Sequence, residues 1–248
     1  MDTLVTGGTG TLGRVLVERL AAAGTPVRVL SRREGPGRVV GDLDTGAGLD
    51  AAVRDAGVIV HAATRAGHDV AATQRLVDAA VRAGTRPHLV YVSIVGIDQV
   101  PMGYYKEKLA AEEIAAGSGL PWTIQRATQF HDLLDTVFRY GAKLPVLPVL
   151  SGASFQPVDV QDVAARLVEL ATAAPAGHAP DLGGPAVRPM RDLASVWLAA
   201  RGKRRPLLPV RVPGGIGRGL RAGGNLTPAH AEGRITFEDF LATTRQHA

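Results

Sequence analysis

The sequence predicts an α/β fold with a doubly wound parallel sheet and a small, irregular C-terminal part. Three observations carry that expectation. A glycine-rich turn joins an apolar strand to a helix at the N-terminus, strand and helix patterns alternate as far as Gln125, and that regularity weakens beyond Arg126.

The first element is a short strand over 3–6, which runs straight into Gly7-Gly8-Thr9-Gly10-Thr11-Leu12-Gly13 and a helix over 12–23. Strand, glycine turn and helix in this order open a dinucleotide-binding βαβ unit of the Rossmann type. A pyrophosphate needs bare backbone N–H groups at a helix N-terminus, where the dipole favours negative charge. Side chains at Gly7 and Gly10 would hold it off, and one at Gly13 would push the helix away from the strand. Gly7, Thr9, Gly10, Thr11, Leu12 and Gly13 are therefore the expected cradle.

A Val-rich strand over 26–30 follows and ends in Ser31-Arg32-Arg33. An acidic residue here would take the ribose 2′-hydroxyl of NAD. Arginine instead suits a 2′-phosphate by charge and by its planar fork of donors. Arg32 and Arg33 thus favour NADP(H) over NAD(H). Asp42 and Leu43 come after a short apolar step, with Asp42 placed to accept from the adenine amino group. A weak helix over 47–55 leads to a strand over 58–61, whose end, Ala62-Ala63-Thr64, is small enough for a nucleotide to lie close.

Helices over 70–82 and 104–116 alternate with strands over 88–93 and 122–125. Beyond them, helices are expected over 130–140, 158–173 and 192–201. Pro145 and Pro148 make 144–149 irregular, and six glycines make 213–224 a mobile loop able to close over a bound substrate. The 248 residues are expected to form one domain, with 1–127 mainly cofactor-binding and 128–248 mainly on the substrate side.

Composition removes whole classes of function. A hydrophobic content of 46% with 21% charged residues is that of a soluble globular protein, and no apolar run is long enough to span a bilayer. No signal peptide is visible and cysteine is absent, so disulfides and thiolate metal sites are excluded and a cytoplasmic location is expected. The 7 histidines include no pair at metal-binding spacing, so no metal is expected. The net charge of +5 is concentrated beyond His178, but few aromatic residues accompany it, so no nucleic-acid partner is expected.

The chemistry rests on three residues. Tyr104 and Lys108 stand four apart on one face of one helix, and Ser93 ends the preceding strand at the cofactor edge. Tyr104 can give a proton to a carbonyl oxygen as hydride arrives, and Lys108 is the cation a phenol of pKa about 10 needs nearby. Ser93 can hold the same oxygen in line. Val95, Tyr105, Gln129 and Phe130, at the same strand edge, are the expected walls for a small-molecule substrate.

With these residues the chain resembles the atypical and extended short-chain dehydrogenase/reductases, nearest their NmrA-like NAD(P)H-binding branch. The matching stretches are TGGTGTLG at 6–13, Arg32, HAAT at 61–64, YVSIVGID at 91–98, YYKEKLAAE at 104–112, WTIQRATQF at 122–130, VDVQDVA at 158–164 and GRITFEDFLA at 233–242. The resemblance implies an NADPH-dependent oxidoreductase acting on a carbonyl- or quinone-like molecule. Other branches act as epimerases or dehydratases, and some NmrA-like members are non-catalytic NADP(H) redox sensors. One departure stands out: extended members place an asparagine where this chain has Asp69.

Overall fold

A computed structural model describes residues 2–245. Eleven strands occur among them: β1 (Asp2–Thr6), β2 (Val27–Ser31), β3 (Arg38–Val40), β4 (Ala56–His61), β5 (His88–Ile94), β6 (Trp122–Ala127), β7 (Leu147–Leu150), β8 (Ser154–Phe155), β9 (Gly177–His178), β10 (Arg188–Pro189) and β11 (Leu207–Val210). The helices are α1 (Thr11–Ala22), α2 (Leu49–Val53), α3 (Asp69–Ala83), α4 (Gly103–Ala116), α5 (His131–Gly141), α6 (Val160–Thr172), α7 (Met190–Ala200), α8 (Gly214–Arg221) and α9 (Phe237–Arg245).

Seven strands form one sheet in the order β3-β2-β1-β4-β5-β6-β9. The pairings β1–β2, β1–β4, β2–β3, β4–β5 and β6–β9 are parallel. The order turns back at β1, which is the doubly wound topology with its switch point between β1 and β4. The strands read as continuous apolar runs because helices cover both faces. α1 turns Leu12, Leu16 and Leu20 inward, while α3 buries Leu76, Val77, Ala79 and Ala80 and stops at Gly84 in the left-handed conformation. Leu4, Ile59, Leu89, Tyr91 and Ile124 belong to the core on the α3 side.

By its contacts the chain divides into two compact units. The first comprises Met1–Ser93, Gly103–Arg126 and Val163–Pro180; the second comprises Ile94–Met102, Ala127–Asp162 and Asp181–Ala248. The return of Val163–Pro180 to the first unit supplies the edge strand β9. In the second unit, aromatic contacts join α5, α7 and α9: Phe138 lies 6.1 Å from Trp197 and 6.4 Å from Phe237.

Two expectations are corrected within the second unit. Residues 144–149 are not irregular throughout: β7 pairs in parallel with β11. Leu147 and Ser151 send their N–H groups to Pro206 and Val210, so the intervening Pro148 points its nitrogen away from the partner strand and breaks no bond. Residues 213–224 are likewise not a loop but largely the helix α8. Its glycines are there for close approach: a Cβ on Gly219 would stand 3.0 Å from the Gln99 carbonyl, and one on Gly215 would stand 2.8 Å from the Pro101 ring. Packing against residues 96–101 replaces the order that glycine alone cannot supply.

The tightest of these contacts is testable. Gly96 has φ +79° and a Cβ there would meet the Gly224 carbonyl oxygen at 1.8 Å, whereas Gly24, with φ +71°, has open space around it. Left-handed backbone alone costs a non-glycine residue about 1–2 kcal/mol. Gly24→Ala is expected to cost about that much in a denaturant titration. Gly96→Ala is expected to cost clearly more, about 3 kcal/mol or above, because a backbone atom must also move.

Candidate functional site

The carboxyl edge of the sheet in the first unit is built by backbone contact. Gly7, at φ +70°, lies so near the end of β4 that a Cβ would stand 2.6 Å from the Ala63 nitrogen. A Cβ on Gly13 would stand 2.0 Å from the Gly7 carbonyl oxygen, so this glycine lets α1 start directly beneath the turn. The Gly10 N–H closes the turn on Gly7 at 2.9 Å, and Gly10 is also the α1 N-cap, without a side chain to cap it. The N–H groups that open α1, from Thr11, Leu12 and Gly13, are those a helix leaves without internal partners.

Beside this turn is a cavity of about 760 Å³. Gly7 and Thr9 lie at one side; Arg32, Arg33, Asp42 and Leu43 come from the loops around β2 and β3, and Ala63 and Thr64 from the end of β4. The cavity thus brings together eight of the residues expected to bind the cofactor. The glycine turn at Gly7 and Thr9, which runs on into the α1 N-terminus, and an arginine group in one cleft fit a dinucleotide carrying several phosphates. Asp42 uses one carboxylate oxygen to accept from the Asp44 N–H at 2.9 Å.

Four ionisable residues of the cavity do not stand out in the sequence: Arg38, Asp44, Arg65 and His68. Arg38 lies on β3, which reads only as a short apolar step, yet it adds a third guanidinium beside Arg32 and Arg33. Asp44 pairs with Arg65 at 2.8 Å and with His68 at 3.3 Å. No local spacing links them, because they stand on two different loops.

Behind the cavity, α4 presents Tyr104, Lys108 and Glu112, each one turn after the last. Thr64 and Asp69, which line the cavity, reach these residues. The Thr64 hydroxyl donates to Asp69 Oδ2 at 2.6 Å and lies 2.7 Å from the Tyr104 hydroxyl. Lys108 Nζ is 3.6 Å from the same Asp69 oxygen and lies over the Tyr91 ring, 4.6 Å from its centre. The Arg65 N–H completes the set by donating to Asp69 Oδ1 at 2.6 Å. Glu107 fixes the start of α3, accepting from Gly67 N–H at 2.6 Å and Asp69 N–H at 2.9 Å.

Burial pushes the Tyr104 phenol above its usual pKa of 10.0, and the Asp69 and Glu107 carboxylates add to the rise. Burial pulls Lys108 down from 10.5, opposed chiefly by Asp69. The charge of Lys108 is thus answered by Asp69, and the phenol is not lowered in this form of the protein.

Ser93 is held separately. It is buried and donates its one proton to Glu112 Oε2 at 2.5 Å, and Glu112 is ion-paired with Arg126 at 2.6 Å. Of the four expected substrate-wall residues, Tyr105 belongs to the first unit and is buried beside Tyr104, with ring centres 6.4 Å apart. Val95, Gln129 and Phe130 belong to the second unit. There Val95 is buried, Gln129 is buried with its amide donating to the Asn225 carbonyl at 3.3 Å, and Phe130 is half-buried at the start of α5.

Among the described residues no group of acidic and histidine side chains could hold a metal, and no helix is long and apolar enough to cross a membrane. Residues 7–174 match the model of a family described as NAD(P)H-binding. Among curated relatives, the chain is 33% identical over 189 residues to a ceramide reductase of Caulobacter vibrioides, covering 66% of this chain and 59% of that protein. It is 35% identical over 139 residues to a (4-alkanoyl-5-oxo-2,5-dihydrofuran-3-yl)methyl phosphate reductase of Streptomyces griseus, covering 51% and 47%. The chain thus spans about half the length of these relatives. Among solved structures, the NADPH-dependent quinone oxidoreductase of Escherichia coli in complex with NADPH superposes with a TM-score of 0.82 at 17% identity, over 98% of this chain and 99% of that one.

The edge of the sheet carries its own pH dependence. His61, at the end of β4, is fully buried with its ring nitrogens 2.6 Å from the Thr6 hydroxyl and 3.0 Å from that of Thr73. Burial, with a smaller push from Lys108, lowers its pKa from 6.5 to about 3. The unfolded chain therefore binds a proton below 6.5 that the folded chain refuses, and stability falls as pH falls through the window from 6.5 to about 3. His61→Gln removes that proton. Between about pH 6.5 and 4.5 the wild type is expected to lose about 2 kcal/mol more than this variant, read from denaturant midpoints.

Proposed function

We propose that this chain, which belongs to an NAD(P)H-binding family, is an NADPH-dependent oxidoreductase of the short-chain dehydrogenase/reductase type that reduces a small carbonyl- or quinone-containing molecule. One observation carries the reading: Thr64 and Asp69 line the nucleotide cavity and also bond to Tyr104 and Lys108. Cofactor cleft and proton-handling residues are therefore one site. The reductase names of the two curated relatives and of the quinone oxidoreductase support the reaction class.

In this reading the turn from Gly7 to Gly13 and the α1 N-terminus receive the pyrophosphate, while Arg32, Arg33 and Arg38 receive the 2′-phosphate. Ala62 and Ala63 leave room for the nicotinamide half. Bound NADPH supplies the hydride. Tyr104 gives the proton to the substrate oxygen, and Lys108, held by Asp69, holds the ribose. Ser93 joins the substrate oxygen only if its proton leaves Glu112, so its first contribution is to fix the end of β5 against α4.

Two measurements test this. Losing a charge-assisted phosphate contact costs about 1.5–3 kcal/mol, so Arg32→Ala is expected to weaken NADPH binding roughly tenfold to a hundredfold and to leave NADH binding nearly unchanged in calorimetric titrations. Tyr104→Phe is expected to lower turnover by about 10²–10⁴ with NADPH affinity preserved. A wild type that oxidises NADPH with no aldehyde, ketone or quinone of a broad panel would overturn the reductase reading and favour a binding role.

A further inference from the structure

The carboxylate of Asp69 does something an amide would not. It is buried, ion-paired with Lys108, and accepts from three directions: the Arg65 N–H on one oxygen, the Thr64 hydroxyl and the Lys108 ammonium on the other. An ionised carboxylate has no proton to give. The Thr64 hydroxyl has one proton, which this geometry commits to Asp69 at 2.6 Å. Towards Tyr104, at 2.7 Å, Thr64 therefore has only lone pairs to offer, and the phenol must be the donor.

We infer that Asp69 is a positioning residue that sets the direction of the chain Tyr104–Thr64–Asp69, so that the resting Tyr104 proton points to Thr64 and its phenolate is left without a donor from that side. The inference rests on Tyr104 being the proton donor of the proposed reduction, and it deepens that reading. A reaction that begins by removing a proton from a substrate hydroxyl, as alcohol oxidation does, needs the phenolate. A phenolate facing a Thr64 lone pair is disfavoured unless the Thr64 proton turns away from Asp69. An asparagine at 69 can present its N–H₂ to Thr64 and reverse the chain, so that Thr64 donates to the phenolate. A reduction leaves the same phenolate behind, so the side chain at 69 sets how readily Tyr104 releases its proton in either direction.

The groups facing Tyr104 are Asp69 from α3, Glu107 and Lys108 from α4, and Tyr91 from β5, with Glu112 beyond Tyr91. Removing the charge at position 69 also weakens the repulsion on the phenolate, so field and hydrogen-bond direction must be separated. The full chain, labelled with carbon-13 at the tyrosine Cζ, is titrated by NMR; the protein has 4 tyrosines, and Tyr104→Phe assigns the signal. Asp69→Asn is expected to lower the Tyr104 midpoint by about one pH unit or more. In a Thr64→Val background the same change is expected to lower it by less than half as much, and Thr64→Ser is expected to restore the full effect. An equal drop in the Thr64→Val background would show the field acting alone and overturn the inference, as would no drop at all or failure of Thr64→Ser to restore it. The titration needs no turnover, so a protein inactive on every carbonyl and quinone tried would defeat the proposed reaction while leaving this result readable.

Discussion

The distance at which two stretches of backbone can pass each other fixes the carboxyl edge of the sheet. Gly7 meets Ala63 and Gly13 meets Gly7 at separations that leave no room for a Cβ. Because β1 can come that close to the end of β4, the Thr6 hydroxyl reaches both the Ala63 N–H and the His61 ring. The same approach drops the first turn of α1 against the glycine turn at the strand end. A side chain at either glycine moves the helix and the cradle together. The cleft beside the turn is in this sense a consequence of packing, which leaves the first N–H groups of α1 without helical partners.

Charge buried behind that edge imposes the second constraint. Lys108 is almost wholly buried, and so are Asp69 and Glu112. A buried ion pair contributes little net stability, yet removing one partner costs about 3–5 kcal/mol because the other is left without an answer. Asp69 with Lys108, and Glu112 with Arg126, therefore hold α3, α4 and the end of β6 in a fixed relation. On α4, Lys108 and Glu112 are interlocked with their partners, and neutralising either leaves the charge opposite unanswered.

What the sequence discloses of this arrangement is whatever depends on short spacing. The glycine turn, the alternation of strands and helices and the Tyr104–Lys108 pair all declare themselves within a few residues, and the doubly wound sheet follows from them. The arginine pair at the end of β2 is legible for the same reason. Partners supplied from a distance are not: Ser93 gives its proton to a carboxylate 19 positions later, and Asp69 meets Lys108 from another helix. The aspartate at 69 can be noticed in the sequence, but its sense depends on knowing that a threonine hydroxyl lies between it and the phenol.

The glycines of the C-terminal part show how the same residue type carries opposite meanings. In an isolated segment glycine raises the entropy that ordering must overcome, and 213–224 then reads as a mobile stretch. In the folded second unit Gly215 and Gly219 stand one helical turn apart; the Pro101 ring lies against the first, and the Gln99 carbonyl and Val100 against the second. Close contact at these positions offsets the entropy that the glycines add to the unfolded chain. Composition cannot distinguish the two cases, because the deciding partner is more than a hundred residues away. The spacing of the glycines holds the better clue: a four-residue interval places them on one side of a helix, which is the pattern of an approach surface rather than of a loop.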